Sequence, residues 1–179
     1  MPKCNPISPE TAVETYRNLS RDITVAERES ASAWYQSARC HAHGIAIMRD
    51  IPFENACAVI SAFSPRVQWN RNMVLAWSWC FGAEVKCLGN SKRAAERAAR
   101  DGISALKGLK TNAFARNISG DMEAVTIDAW MLRPFGLKSA SVRNYRTLAD
   151  AIRTVAREVG MTPADLQALI WVRLRGKAD

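Results

Sequence analysis

The chain has 179 residues, of which 48% are hydrophobic, enough for one domain or two tightly packed helical lobes and too many for an intrinsically disordered chain. Lys and Arg number 25 against 17 Asp and Glu, a formal charge of +8, and that excess favours a polyanionic partner because each neutralised phosphate releases counterions. Met1 to Ser20 hold no apolar segment like that of a secretory signal, and no apolar run nears the ~20 residues that span a bilayer, so a cytoplasmic protein with no membrane partner is expected.

Helical periodicity dominates along the chain. A first helix is expected from Ser8, with Pro9 at its first position and Glu10 at the positive end of its dipole. A longer one follows from about Val25 to Met48, with Ala33, Trp34, Ala38 and Ile45 near one face. Asp50 to Pro52 break the chain before a short apolar helix, Phe53 to Phe63, which Ser64-Pro65 ends. Gln68 to Phe81 reads as a helix with Trp69, Met73, Trp77 and Phe81 at spacings of four. Ser91 is placed as the cap of a basic helix through Arg100, ended by Asp101-Gly102. After Ile103 to Ile118 and a turn at 119–121, Thr126 to Phe135 reads as a short helix stopped near Pro134. Ser141 to Val159 is amphipathic, with Tyr145, Leu148, Ala149, Ile152 and Val155 inward. Thr162, Pro163 and Asp165 form a helix start leading into Leu166 to Arg175. The sum is an all-α chain of about nine helices.

Several residue groups read in plain structural terms. The five cysteines, Cys4, Cys40, Cys57, Cys80 and Cys87, contain no C-x-x-C pair, against a zinc site or a disulfide framework, and four are expected among apolar or helical neighbours as small hydrophobes. His41 and His43 lie two apart on a helix and so point to different faces, which disfavours a metal pair, and no metal is expected. Trp77, Trp79 and Trp171 read as core. The basic run Lys92, Arg93, Arg97 and Arg100 fits either a solvated face or a track for a nucleic-acid backbone.

Three segments carry chemistry. Leu106-Lys107-Gly108-Leu109-Lys110-Thr111 reads as a hairpin between helices whose backbone N–H groups take a phosphate, with Gly108 supplying positive φ and room for close approach, or as an ordinary helix C-cap at Gly108. Val125 to Arg133 places Asp128 at the start of a helix, 18 residues after Lys110 and five before Arg133. Val59 to Asn72 contains Ser61, Ser64, Arg66, Gln68 and Trp69 around a proline turn.

On these segments the chain resembles the helix-hairpin-helix DNA glycosylases, in particular the endonuclease III-like branch. That family has a glycine hairpin followed by a lysine, an aspartate about 18 residues later that opens a helix and precedes an arginine by five, and upstream a serine-x-glutamine loop with a wedge residue. It is also similar to uncharacterised phage-borne and actinobacterial proteins. The match spans roughly Val59 to Arg133. The hairpin has one glycine of the usual pair, Trp130 stands where a histidine is common, and no cysteine follows Cys87 to build an iron–sulfur loop.

The resemblance implies an all-α, two-lobed bundle with a helix-hairpin-helix motif, a single domain over 1–179. It implies a DNA N-glycosylase, with or without abasic-site lyase activity, that acts on double-stranded DNA as a monomer, without cofactor or iron–sulfur cluster. Asp128 and Lys110 would be catalytic, with Lys107 as a substitute amine. Arg66 would be the wedge, and Gln68, Lys107, Gly108, Leu109, Thr111 and Arg133 would contact DNA. Trp69 and Trp130 would stack on an extruded base, with Gln68 and Gln167 as further pocket candidates. The rival readings are a transferase that modifies phage DNA bases on the same scaffold, and a DNA-binding protein without turnover. For each residue a structural role competes: Asp128 as a helix cap, Lys110 as a phosphate contact, Arg66 as a surface arginine.

Overall fold

A computed structural model describes residues 6–176, so Cys4 lies outside the described residues. The expected fold class holds: these residues form nine α-helices and two short 3-10 turns, and no strand occurs among them. They fall into two units, one made of residues 6–34 and 122–176 and the other of residues 35–121. We call them the chain-end unit and the mid-chain unit.

In the chain-end unit, α1 (Pro9–Leu19) starts as its sequence dictates, with the Ser8 hydroxyl accepting from Thr11 N and Pro9 at the first position. It packs on α8 (Val142–Val159) and α9 (Pro163–Arg175). α8 is capped by Ser141 and buries Leu148, Ala149, Ile152 and Val155, as its amphipathic period requires. α9 is capped by Thr162, whose hydroxyl accepts from Asp165 N. α2 (Val25–Arg49) begins in this unit with a reciprocal capping box, Thr24 N to Glu27 Oε2 at 2.9 Å and Glu27 N to Thr24 Oγ1 at 3.2 Å. Arg173 on α9 then clasps Glu27 through Nε at 2.7 Å and donates to the carbonyls of Leu19 and Arg21. The Glu27 carboxyl is accordingly held down to about 2, chiefly by the Arg173 hydrogen bond.

The mid-chain unit is organised around α3 (Phe53–Phe63), buried from Ala56 to Phe63. Against it lie α4 (Trp69–Cys80), α5 (Gly89–Asp101) and α6 (Leu109–Ser119). The unit also contains the second part of α2, where Gly44 lets Trp77 approach: a Cβ there would stand 2.7 Å from the indole.

Several sequence expectations need correction. The buried stripe of α2 is Ala31, Tyr35, Ala38, Ala42 and Ile45, at alternating spacings of four and three, while Ala33 is exposed because two residues turn a helix by ~200°. Ser91 does not cap α5: the helix starts at Gly89, and Ser91 N already donates to the Leu88 carbonyl at 2.8 Å with its side chain buried. The span Thr126 to Phe135 is not one helix. Residues 124–128 form no helix, with Asp128 itself extended, α7 (Ala129–Leu132) is one turn, and Arg133–Phe135 forms a 3-10 turn around Pro134. Trp77, Trp79 and Trp171 are half-buried, not core. Cys57 and Cys80 behave as small buried hydrophobes, and burial pushes the Cys57 thiol up to about 12, but Cys40 is exposed. No described helix is long and apolar enough to cross a membrane.

Candidate functional site

The serine loop and the lysine segment meet in the mid-chain unit. α3 ends at Phe63, and the chain turns through Ser64, Pro65, Arg66 and Val67 before α4 starts after Gln68. α6 starts after Gly108, so Lys110 and Thr111 occupy its first turn. Ser61 Oγ donates to the Thr111 carbonyl at 2.7 Å, and Lys110 Nζ donates to Ser64 Oγ at 3.3 Å. Residues 46 apart in sequence thus share one spot because α3 and α6 pack side by side.

Arg66 is exposed and sits at φ 62, a left-handed conformation that costs a non-glycine residue about 1 kcal/mol. Gln68 is the exposed N-cap residue of α4, and its side chain makes no capping hydrogen bond. Lys107 is exposed and donates to the Ser104 carbonyl at 3.1 Å. Leu109 is 40% exposed, an apolar side chain standing at the mouth of the α6 N-terminus. Trp69 is half-buried, its ring edge-on to both Phe114 and His41. His41 accepts from Trp77 Nε1 at 3.2 Å, and the exposed His43 stacks on Phe53. No group of three metal-ligating side chains occurs among the described residues.

Both expectations for Gly108 fail: its φ is negative, and it is the N-cap of α6 and not a C-cap. Gly108 has φ −78 and ψ 132, which any residue adopts, and a Cβ there would meet only Thr111 Oγ1 at 3.0 Å. The glycine that the α5–α6 connection requires is Gly102, at φ 69 and ψ −154, where a Cβ would stand 2.9 Å from Asn55 Oδ1. Asn55 Nδ2 reaches over this corner to the Ala99 carbonyl at 2.9 Å. The turn is tight at the end of α5, where the chain must reverse, and relaxed at the start of α6, where it only has to enter a helix.

Asp128 lies in the chain-end unit. Its Oδ1 accepts from Trp130 N at 2.9 Å and Met131 N at 3.1 Å, so it is the N-cap of α7, and its Oδ2 accepts from Trp171 Nε1 at 3.0 Å. The approach to it is braced by two phenols. Tyr145 Oη donates to the Val125 carbonyl at 2.9 Å and accepts from Ile127 N, and Tyr16 Oη donates to the Met131 carbonyl at 3.0 Å. Burial pushes both phenols up, with the Asp128 charge adding to it, so they serve as hydrogen-bonding struts and stay protonated. Arg133 is exposed and lays its guanidinium over the Trp130 ring at 3.4 Å. One face of the expected base-stacking indole is therefore already covered. Gln167 is buried in α9.

Trp171 is the residue that reading the sequence as core did not assign to this site. It packs on Trp34 with ring centroids 6.2 Å apart and carries Arg175 over its ring at 4.8 Å, and its N–H goes to Asp128. No spacing rule links positions 43 residues apart. The available signal was chemical: an indole amphipathic enough to be half-buried places its N–H against an acceptor.

The chain belongs to a family of unknown function, DUF7178, whose model matches residues 2–178. No curated protein and no solved structure matches it.

Proposed function

We propose that this protein is a DNA N-glycosylase, with or without lyase activity, acting as a cytoplasmic monomer on double-stranded DNA through Asp128 and Lys110. The observation that carries the reading is the meeting of Lys110 Nζ with Ser64 Oγ at 3.3 Å beside the Ser61–Thr111 hydrogen bond. Two segments that separately resemble parts of a DNA glycosylase are adjacent in the mid-chain unit. Arg66 stands on the same loop in a strained left-handed conformation, the kind of strain that clusters at functional positions. There it would fill the gap left by an extruded base. The net charge of +8 fits a phosphate-rich partner.

Breaking an N-glycosidic bond sends its electron pair out with the base, which takes up a proton, and leaves positive charge on the sugar. The Asp128 carboxylate, oriented by three N–H donors, is suited to stabilise that charge. In hydrolysis, water adds to the anomeric carbon and loses its proton. In the lyase form, the deprotonated Lys110 amine adds instead and loses a proton, and opening of the sugar ring gives a Schiff base. Lys107, donating to a backbone carbonyl, is the substitute amine. Gly108, Leu109 and Thr111 at the α6 N-terminus would contact phosphate, and Gln68 and Arg133 would complete the DNA contacts. Trp69 and Trp130 would be the stacking surfaces, the latter on the face that Arg133 does not cover.

One observation favours a DNA-binding protein without turnover. Asp128 already has a complete structural role as the cap of α7, so its presence needs no reaction. Incubating the protein and Asp128→Asn with duplexes bearing varied damaged or modified bases, with products read by mass spectrometry, separates the readings. Base release lost in the variant is the expected result, and borohydride trapping on abasic DNA reports the lyase step. A mass gain without base release identifies a transferase, and binding without product identifies the non-catalytic protein.

A further inference from the structure

The outward face of α5 carries a row of cations with no anionic partner in the described structure. α5 buries Ser91, Ala95 and Ala98, and the ~100° turn per residue places Arg93 and Arg100 on the opposite side, with Arg97 beside them. These three and Lys92 are all exposed. Three exposed arginines elsewhere are matched, Arg17 to Glu158, Arg116 to Asp121 and Arg153 to Asp150, while Arg21, Arg143 and Arg146 are exposed and form no described ion pair. No described ion pair involves an α5 arginine, although Glu96 and Asp101 lie on the same helix.

We propose that this face of α5 binds the sugar–phosphate backbone of double-stranded DNA, with Arg93, Arg97 and Arg100 each taking a phosphate. The proposal rests on the reading of the protein as DNA-binding and not on its being an enzyme. From Arg93 to Arg100 the helix advances ~10 Å, and one strand presents a phosphate every ~3.4 Å along the duplex axis, so the row spans about three phosphates. The guanidinium fork suits phosphate oxygens and carries no base preference. An anionic membrane is the weaker match, because the exposed positions of α5 hold no large apolar side chain to enter lipid. The row belongs to the same unit as Lys110 and Arg66, and α5 leads through Gly102 and one 3-10 turn to the start of α6.

The test is fluorescence anisotropy of an undamaged 20-base-pair duplex with the full chain at several salt concentrations. Because each phosphate contact contributes ~0.9 to the slope of log K against log salt, R93Q/R97Q/R100Q should lower that slope by about 2.7 relative to the wild type. R93K/R97K/R100K, which keeps the charge, should restore most of it. R21Q/R143Q/R146Q, an equal charge loss in the chain-end unit, should change the slope less. Equal losses in the two glutamine variants would reduce the effect to net charge and overturn the proposal, as would an unchanged slope in the α5 variant. Stronger binding to phosphatidylserine vesicles than to the duplex, lost in the α5 variant, would overturn it in favour of a membrane surface. Wild-type protein that does not bind the duplex would overturn the DNA reading as well. Base release in the glycosylase assay with an unchanged slope here would leave the enzyme standing without the α5 contact.

Discussion

The two residues proposed for catalysis are held in opposite ways. Asp128 in the chain-end unit is fixed by three N–H donors from two helices, two from the α7 backbone and one from Trp171. Lys110 in the mid-chain unit donates to a hydroxyl at 3.3 Å, at the end of a four-carbon stem. A carboxylate that stabilises developing charge acts best when it does not move, since reorganisation would consume the stabilisation. An amine that contacts phosphate or attacks a sugar carbon has to reach, and its long stem permits that. The difference places structural weight on Asp128 and Trp171.

Asp128→Ala should show the largest effect. Losing an N-cap costs about 1 kcal/mol, and leaving the Trp171 N–H without its acceptor adds about 1 kcal/mol. Urea denaturation should show a total near ~2 kcal/mol, with Asp128→Asn costing clearly less because an amide oxygen still caps. A loss below a few tenths would mean the carboxylate does not organise α7. In the mid-chain unit, Gly102→Ala should cost about 2 kcal/mol for forcing a side chain into glycine-only backbone space. Gly108→Ala should cost well under half of that. Equal costs would show that both glycines are needed and would revive the expected phosphate hairpin at Gly108.

Trp171→Phe keeps the ring and removes only the N–H. It should destabilise by about 1 kcal/mol in urea denaturation by leaving Asp128 Oδ2 without its donor. An unchanged midpoint would detach Trp171 from the site. The Glu27–Arg173 clasp makes a pH-dependent prediction for the chain-end unit. The folded carboxyl titrates at about 2, below the ordinary ~4.3 of an unfolded chain, so its contribution is complete above that value and is lost as pH falls toward 2. Glu27→Gln should flatten the urea midpoint over that interval and leave the slope above pH 5 unchanged. Lys110→Met removes the donor to Ser64 Oγ and should cost about 0.5–1 kcal/mol; a loss as large as that of Asp128→Ala would break the contrast with Asp128.

Much of this architecture was legible in the residues. Ser8-Pro9, Ser141 and Thr162-Pro163 declared helix starts because capping is local chemistry, settled within four residues. Asp128 opening a helix was legible for the same reason, and its donors are Trp130 N and Met131 N. Phe53–Phe63 was read to the residue because the proline on each side confines it. The misreadings occurred where a local signal met a tertiary one. Ser91 has the right chemistry for a cap, but a helix beginning at Gly89 turned it inward. The Thr126 to Phe135 span has a helical pattern, but Tyr145 bonds to Val125 and Ile127 and holds its first part outside the helix.

The sequence by itself determined an all-helical chain, the helix starts at Ser8, Ser141 and Thr162, a basic character and the pair of segments around Ser64 and Lys110. These follow from spacing, capping and charge, which act over a few residues or over the whole chain at once. Only the tertiary structure decided that Gly102 and not Gly108 needs to be glycine, that Ser61 reaches Thr111 and Ser64 meets Lys110, and that Trp171 holds Asp128. Each of these depends on which side chains arrive at one place from distant positions, and helix packing sets that distance while sequence separation does not.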